Sequence, residues 1–229
     1  MRSAFATHPN AGTASAPIWQ TTPRMNLRSV VLVAMAAPAF CAMPARASDY
    51  SLDSVHTQVY ACASHMGFST PCARFRIKSG FFHFDDGDWS TAKVDAIVDA
   101  TSLDLGDAAW DAKVRSWEFL ETGKYPEAHF VSQSAEKTGD RTAVVRGTLT
   151  LRGVTRKLDL NVTFNRAGLD PYDLRYTAGF AATATLQRAV FGMTKYLPDI
   201  GDTVQIRIEA EGLRGKPAPV QTAPSQPER

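Results

Sequence analysis

Gly147–Phe164, GTLTLRGVTRKLDLNVTF, and Gly179–Met193, GFAATATLQRAVFGM, decide the fold class because both alternate apolar with polar residues. In the first, Val154, Leu158, Leu160, Val162 and Phe164 share a face, with Arg156 the exception. Just upstream, Val145, Gly147, Leu149 and Leu151 alternate with Arg146, Thr148, Thr150 and Arg152. Around the second, Tyr176, Ala178, Phe180, Ala182, Ala184 and Leu186 oppose Thr177, Thr183, Thr185 and Gln187. A period of two with one apolar and one wet face indicates antiparallel sheet, since parallel sheets bury both faces.

The pattern extends in both directions. Val94, Ala96, Val98 and Ala100 oppose Lys93, Asp95 and Asp99, and Val204, Ile206, Ile208 and Ala210 oppose Gln205, Arg207 and Glu209. One segment departs from it. Asp107–Glu121, DAAWDAKVRSWEFLE, puts Trp110, Val114 and Trp117 at helical spacing and predicts a short helix or two, ended by the turn Gly123–Pro126. The expected fold is all-β: a closed antiparallel barrel with a short covering helix, closure being the way to remove exposed edges. A two-sheet sandwich is the alternative.

The amino terminus has a different character. Residues 1–47 contain no Asp, Glu or Lys. Met25–Arg28 reads as a positive n-region, Ser29–Phe40 as an apolar h-region too short to span a bilayer, and Ala45-Arg46-Ala47 as a cleavage site. The expectation is a signal peptide over 25–47 behind a dispensable extension, cut after Ala47, and hence export. Pro38-Ala39-Phe40 before Cys41 does not fit a lipoprotein signal. Cleavage removes four of the 25 Lys and Arg, leaving 21 against 23 acidic residues. A near-neutral chain with no basic patch argues against nucleic acid as a partner. Residues 48–213 then form one domain, and 214–229, rich in Pro, Ala, Ser and Gln, read as a disordered tail.

Candidate chemistry is sparse. His56 and His65, on and just after the first strand-like run, would lie roughly 30 Å apart if extended. His83 and His129 have no ligand-spaced neighbours, so no metal site is expected. No G-x-S-x-G elbow occurs. Asp85-Asp86-Gly87-Asp88 lacks EF-hand spacing and reads as a solvated turn. Arg115 and Arg188 sit beside large apolar groups and suit either a structural role, pairing with carboxylates or carbonyls, or the greeting of a ligand's polar head. Cys62 and Cys72 flank a turn centred on Gly67. Directly opposed residues of a hairpin have Cα atoms about 4.5–5.5 Å apart, within disulfide reach. A Cys62–Cys72 bridge is expected in an oxidising compartment, two free thiols being the alternative.

Taken together, LDSVHT (52–57), HMGFS (65–69), DAKVRSWEFLE with Tyr125-Pro126, GTLTLRGVTRKL (147–158), GFAATATLQRAVFGM and DIGDTVQIRIEAEG (199–212) resemble the YceI-like family of periplasmic polyisoprenoid-binding proteins. The resemblance covers Tyr50 to Gly212. Ala61, Ala73, Lys113-Val114 and Ala189-Val190 depart from the family's usual residues, those at Ala61 and Ala73 bearing on cavity volume and strand geometry. Periodicity alone does not separate a filled barrel from a hollow one; the resemblance implies a hollow, lipocalin-like one. The lining it implies is Val59, Ala61, Phe75, Phe84, Val98, Trp117, Phe130, Leu149, Leu160, Val162, Phe180, Ala182, Leu186, Phe191 and Ile206. The implied function is a periplasmic binding protein for a polyisoprenoid, such as an isoprenoid quinone, or another long amphiphile. It would need no cofactor, perform no covalent chemistry and make at most transient contact with a membrane or a membrane protein. Two rivals remain: an enzyme acting on a lipid or quinone in the same cavity, and a solid-barrel stress-response interaction protein.

Overall fold

A computed structural model describes residues 47–215. The expected extension and signal peptide, apart from Ala47, and the tail beyond Gly215 lie outside the described residues. Nine strands follow in order: β1 Ser48–Leu52, β2 Gln58–His65, β3 Cys72–Phe84, β4 Lys93–Asp104, β5 Glu127–Lys137, β6 Thr142–Leu151, β7 Val154–Leu169, β8 Tyr176–Gln187 and β9 Ile200–Arg214. One α-helix, α1 Ala108–Arg115, lies between β4 and β5, and 3-10 turns occur at Trp89–Thr91 and Arg188–Phe191.

All neighbouring strands pair antiparallel, and the ring closes through β3–β4. It is a closed barrel, so the sandwich alternative does not hold. The nine strands fill eight positions. β2 pairs with Cys72–Arg76 of β3 and β1 with Phe81–Phe84 of the same strand. Likewise β2 pairs with the first part of β9 and β1 with Gly212–Arg214. β1 and β2 are thus one barrel strand interrupted at Asp53–Thr57, where the sequence reading saw a single run. Asp53 causes the break: its carboxylate accepts from the amides of Val55 (2.7 Å) and His56 (3.2 Å), an Asx-type turn that competes with the ladder. Glu211 holds the chain across the gap, its carbonyl accepting from the Asp53 amide (2.8 Å) and the Thr57 hydroxyl (3.1 Å). His56 therefore sits in the interruption, and His65 ends β2.

One hairpin shows why the alternation in the deciding stretch changes phase, and a second sets a register without changing it. Leu151 pairs with Val154 across Arg152-Gly153, which have φ of 52° and 73°. Two successive left-handed residues make the tight turn whose twist matches the flanking strands, so inward residues are odd-numbered in β6 and even-numbered in β7. Between β2 and β3 the loop is three residues, Met66–Phe68, with Met66 and Gly67 at φ 54° and 74°, so paired residues keep equal parity. That turn sets Cys62 opposite Cys72, and the two are bonded.

The expected helix is shorter than its sequence pattern. Asp107 caps α1 by accepting from the Trp110 amide (2.8 Å), and the helix stops where Ser116 adopts ψ 172°. Trp117 lies beyond the end, so it no longer shares a helical face with Trp110 and Val114.

An aromatic layer closes one end of the barrel. Tyr50 stacks on Phe82 (4.8 Å between centroids). Phe84 meets Trp89, Phe164 and Phe180 edge-on or tilted at 5.0–5.1 Å. Trp89, from the 3-10 turn capped by Asp88, is 3 % exposed and plugs the gap below. Gly212 makes this layer possible, because a Cβ there would come within 2.2 Å of the Phe82 ring. Burying each ring contributes about 2–3 kcal/mol before entropy.

Candidate ligand cavity

Above the aromatic floor the barrel is hollow, with a cavity of ≈630 Å³. That is within the range of sites that enclose small organic ligands. Its wall explains a pattern in the burial. Val98, Leu149, Val162 and Ile206 point inward yet are only half-buried, because they border a void rather than packed neighbours. Small residues keep that space open: Ala61, Ala96, Ala128 and Ala182 stand where larger side chains would fill it.

Thirteen of the expected lining residues border the cavity: Val59, Ala61, Phe75, Phe84, Val98, Phe130, Leu149, Leu160, Val162, Phe180, Ala182, Leu186 and Ile206. Two do not. Trp117 is 60 % exposed, with the Lys195 Nζ 5.0 Å above its ring. Its backbone explains this, since Arg152 Nη2 donates to the Trp117 carbonyl (2.8 Å) and the ring is left outside. Phe191 is buried at 2 % in the 3-10 turn after β8, packed in the same core cluster as Leu158, Leu186 and Met193 beside the cavity.

The open end is framed by the β2–β3 turn, α1, the segment after it and the β8–β9 connection. His65, Met66, Trp110, Lys113, Tyr196 and Asp199 border the cavity there. These segments are tied to one another: the Met66 amide donates to the Asp199 carbonyl (2.6 Å) and the His65 and Trp110 rings meet at 5.8 Å. Tyr196 stacks on Phe119 (5.8 Å) and its hydroxyl accepts from Lys113 Nζ (2.7 Å) while donating to Glu118 Oε1 (2.6 Å). Lys113 and Glu118 also form an ion pair. The Glu118 carboxylate and then the Tyr196 hydroxyl raise the Lys113 pKa, and Lys113 with Tyr196 lowers that of Glu118. Of these mouth residues only Trp110 carries a periodic signal, and none of the six is marked by the sequence as bordering a cavity. Ile77 and Ile208, also lining, do sit on readable strand faces.

The two arginines have separate roles. Arg188 borders the cavity but is 3 % exposed and makes four hydrogen bonds, all to backbone carbonyls. Nε donates to the Gly201 carbonyl (2.9 Å), Nη2 to Lys195 (2.9 Å) and Ile200 (2.7 Å), and Nη1 to Met193. Burial depresses its pKa, opposed by the Asp202 carboxylate, whose Oδ1 accepts from the Ala189 amide (2.8 Å). Arg115 stands away from the cavity. Its Nη2 donates to the Leu103 carbonyl and lies 3.5 Å from Asp111 Oδ2, pinning α1 to the end of β4. Both therefore fasten backbone. Arg152 does the same, bridging Trp117, Glu121 and the Gly192 carbonyl, where the alternation places it only as an outward strand residue.

The histidines pair singly with carboxylates: His56 with Asp53 (2.8 Å), His83 with Asp49 (2.7 Å) and His129 with Asp95 (2.7 Å). Among the described residues no three His, Cys, Asp or Glu side chains converge on a possible metal position. Asp85–Asp88 is a solvated turn in which Asp85 accepts from the Gly87 amide (2.9 Å). What the cavity offers a ligand is apolar surface with a few donors and acceptors at its mouth.

A closed antiparallel barrel around an apolar, one-ended cavity defines a class of hollow β-barrels. Within that class the chain belongs to the YceI-like domain family, whose profile matches residues 50–212. A "UPF0312 protein" of Pseudomonas savastanoi pv. phaseolicola is 36 % identical over 191 residues, covering 82 % of this chain and 98 % of that protein. Among solved structures, Burkholderia cenocepacia BcnA superposes with a TM-score of 0.61 at 23 % identity, covering 70 % of this chain and 98 % of its own. A structure described as a polyisoprenoid binding domain from Saccharophagus degradans, implicated in plant cell wall breakdown, has a TM-score of 0.54 at 18 % identity. It covers 72 % of this chain and 98 % of that one. At such identities the structural likeness is one of fold.

Proposed function

We propose that this protein is a periplasmic binding protein that holds a polyisoprenoid, such as an isoprenoid quinone, or a similar long-chain amphiphile, as a carrier or buffer. The observation that carries the reading is the hollow, largely apolar barrel with Lys113, Tyr196 and Asp199 at its mouth, the bordering polar side chains of Thr57 and His83 being hydrogen-bonded to Glu211 and Asp49. That distribution suits a ligand whose tail enters first and whose head stays at the rim. The polyisoprenoid binding of the Saccharophagus domain supports the same ligand class. The Cys62–Cys72 bond favours an oxidising compartment and so supports export. Outward strand positions are charged and inward ones apolar, the inverse of a barrel that spans a membrane. No cofactor enters the reading, since binding needs only apolar burial.

Met66 (55 % exposed), Phe68 (88 %), Trp110, Tyr196 and Leu197 ring the mouth, where loading from a bilayer surface would occur. About ten buried methylene equivalents at 0.8 kcal/mol each give roughly 8 kcal/mol, near micromolar before association costs. Affinity then climbs with chain length and depends weakly on salt. The test is mass spectrometry of the organic extract of purified protein, followed by titration with isoprenoids of graded length. A lipid-free extract together with length-independent affinities would overturn the proposal.

A further inference from the structure

Beyond the aromatic floor, on the side away from the cavity, lies a second pocket of ≈470 Å³ lined by Tyr50, Tyr176, Asn165, Arg141, Arg166 and Arg214. The fold gathers three arginines that are far apart in sequence. Arg141 comes from the β5–β6 turn, Arg166 from β7 just past its bulge, and Arg214 from the end of β9. Among the described residues none of the three forms an ion pair, although Arg74, Arg146 and Arg175 elsewhere do. Asp86 also borders the pocket and pairs with none of them. The cationic cluster is local, because residues 48–229 carry 21 basic against 23 acidic side chains.

Contacts hold two of the three guanidinium groups, those of Arg141 and Arg214, and use one N–H of each. Arg214 lies 3.5 Å from the Tyr176 ring centroid, and its Nη2 donates to the Tyr50 hydroxyl (3.4 Å). Arg141 Nε donates to the Phe164 carbonyl (2.9 Å), with its guanidinium carbon 5.3 Å from that ring. Arg166 makes no side-chain hydrogen bond among the described residues. A guanidinium has five donors, so most of those in the pocket are unused. The ring contacts of Arg141 and Arg214 occupy a face of each group, and the remaining N–H donors that match an oxyanion are unused. Gathering like charges without a counter-ion is unfavourable, and a bound anion relieves it.

We infer that this pocket is an oxyanion site for a phosphate or diphosphate group. Two sources share that chemistry: a free phosphate or diphosphate in solution, and the head group of an anionic lipid at a membrane surface. The site is independent of what occupies the main cavity, because the Phe84–Phe164 contact (5.1 Å) stands between the two spaces.

The test uses the full chain, titrated calorimetrically with inorganic diphosphate and sedimented with phosphatidylcholine vesicles with and without phosphatidylglycerol. Charge-assisted hydrogen bonds to two arginines should make the Arg141→Gln/Arg166→Gln double variant at least about tenfold weaker in binding. Its urea midpoint and its binding of an apolar probe in the barrel should not change, and added salt should weaken binding by the parent chain. Saturable diphosphate binding lost in the double variant supports a soluble source. Arginine-dependent sedimentation with phosphatidylglycerol, without diphosphate binding, supports the lipid source. Binding of neither, or binding undiminished in the double variant, overturns the inference.

Discussion

Arg188 holds four backbone carbonyls at once, drawn from the 193–201 segment that frames the mouth. Removing it leaves those acceptors buried and unpaired, so Arg188→Ala should cost about 3–4 kcal/mol in urea unfolding while affinity for an apolar ligand falls far less. Collapse of affinity with stability retained would instead mark it as a head-group ligand. A second prediction concerns the strand interruption. Burial alone would raise the Asp53 carboxyl, but hydrogen bonds from the His56 ring and the Val55 and His56 amides outweigh it and lower the pKa. The hydrogen bond to the Asp53 carboxylate in turn raises the His56 pKa above the ordinary histidine value. The His56 contribution is fully present below that ordinary value and is lost as pH climbs through the raised one. The Asp53 contribution is present above the ordinary carboxyl value and is lost as pH falls through the depressed one. The Asp53–Thr57 segment is therefore held most firmly between about pH 4 and 6.5. NMR titration should place the His56 midpoint higher in the parent than in Asp53→Asn; equal midpoints would refute the coupling. At this scale sequence reading is weakest. It singled out Arg115 and Arg188 but left structural and ligand-binding roles open for both, because a guanidinium's partners here are carbonyls that no residue pattern marks. Trp117 was misplaced for a related reason: the hydrogen bond from Arg152 that turns it outward comes from 35 residues away.

Among the elements, the β2–β3 hairpin is the most constrained. Its left-handed Met66-Gly67 pair sets the register, and the Cys62–Cys72 bond then locks it. Thiol titration of denatured, unreduced protein should find neither of these cysteines free. Replacing both with serine should cost about 2–4 kcal/mol by chemical denaturation, and an unchanged midpoint would deny the bond a stabilising role. This pairing was legible beforehand because hairpin parity and a central glycine are local features. So were the strands β4 and β6 to β9, whose alternation is strict enough to survive tertiary context. The interruption between β1 and β2 was harder to see. Asp53 carries a turn signal, but the flanking runs share a single barrel position, and only the pairing of both with β3 and β9 separates them. The helix was overextended because Trp117 continues the spacing of Trp110 and Val114 after the backbone has already left the helical region at Ser116.

For the whole molecule the open question in the sequence was whether the barrel is filled. Alternation places side chains inward, but it does not report whether they reach one another across the interior, so thirteen lining residues were identifiable while the void between them was not. Filling that void is the direct test. Ala182→Phe and Ala61→Trp should each weaken binding of a long isoprenoid at least about tenfold, since each displaces buried ligand methylenes, with the far-UV circular dichroism unchanged. Undiminished binding would exclude the barrel interior as the site. The aromatic floor has one more consequence. A tube with a floor is a ruler: an isoprenoid chain can gain affinity with each added unit only until its tail reaches Phe82, Phe84 and Phe180, after which further units project beyond the mouth and contribute little. Affinity plotted against chain length should bend at a definite size. Phe180→Ala, which removes one ring from the floor, should move that bend to longer chains even as it lowers stability by about 3–5 kcal/mol. The depth of the barrel would then select among chain lengths of one chemical series, with no polar contact having to tell them apart.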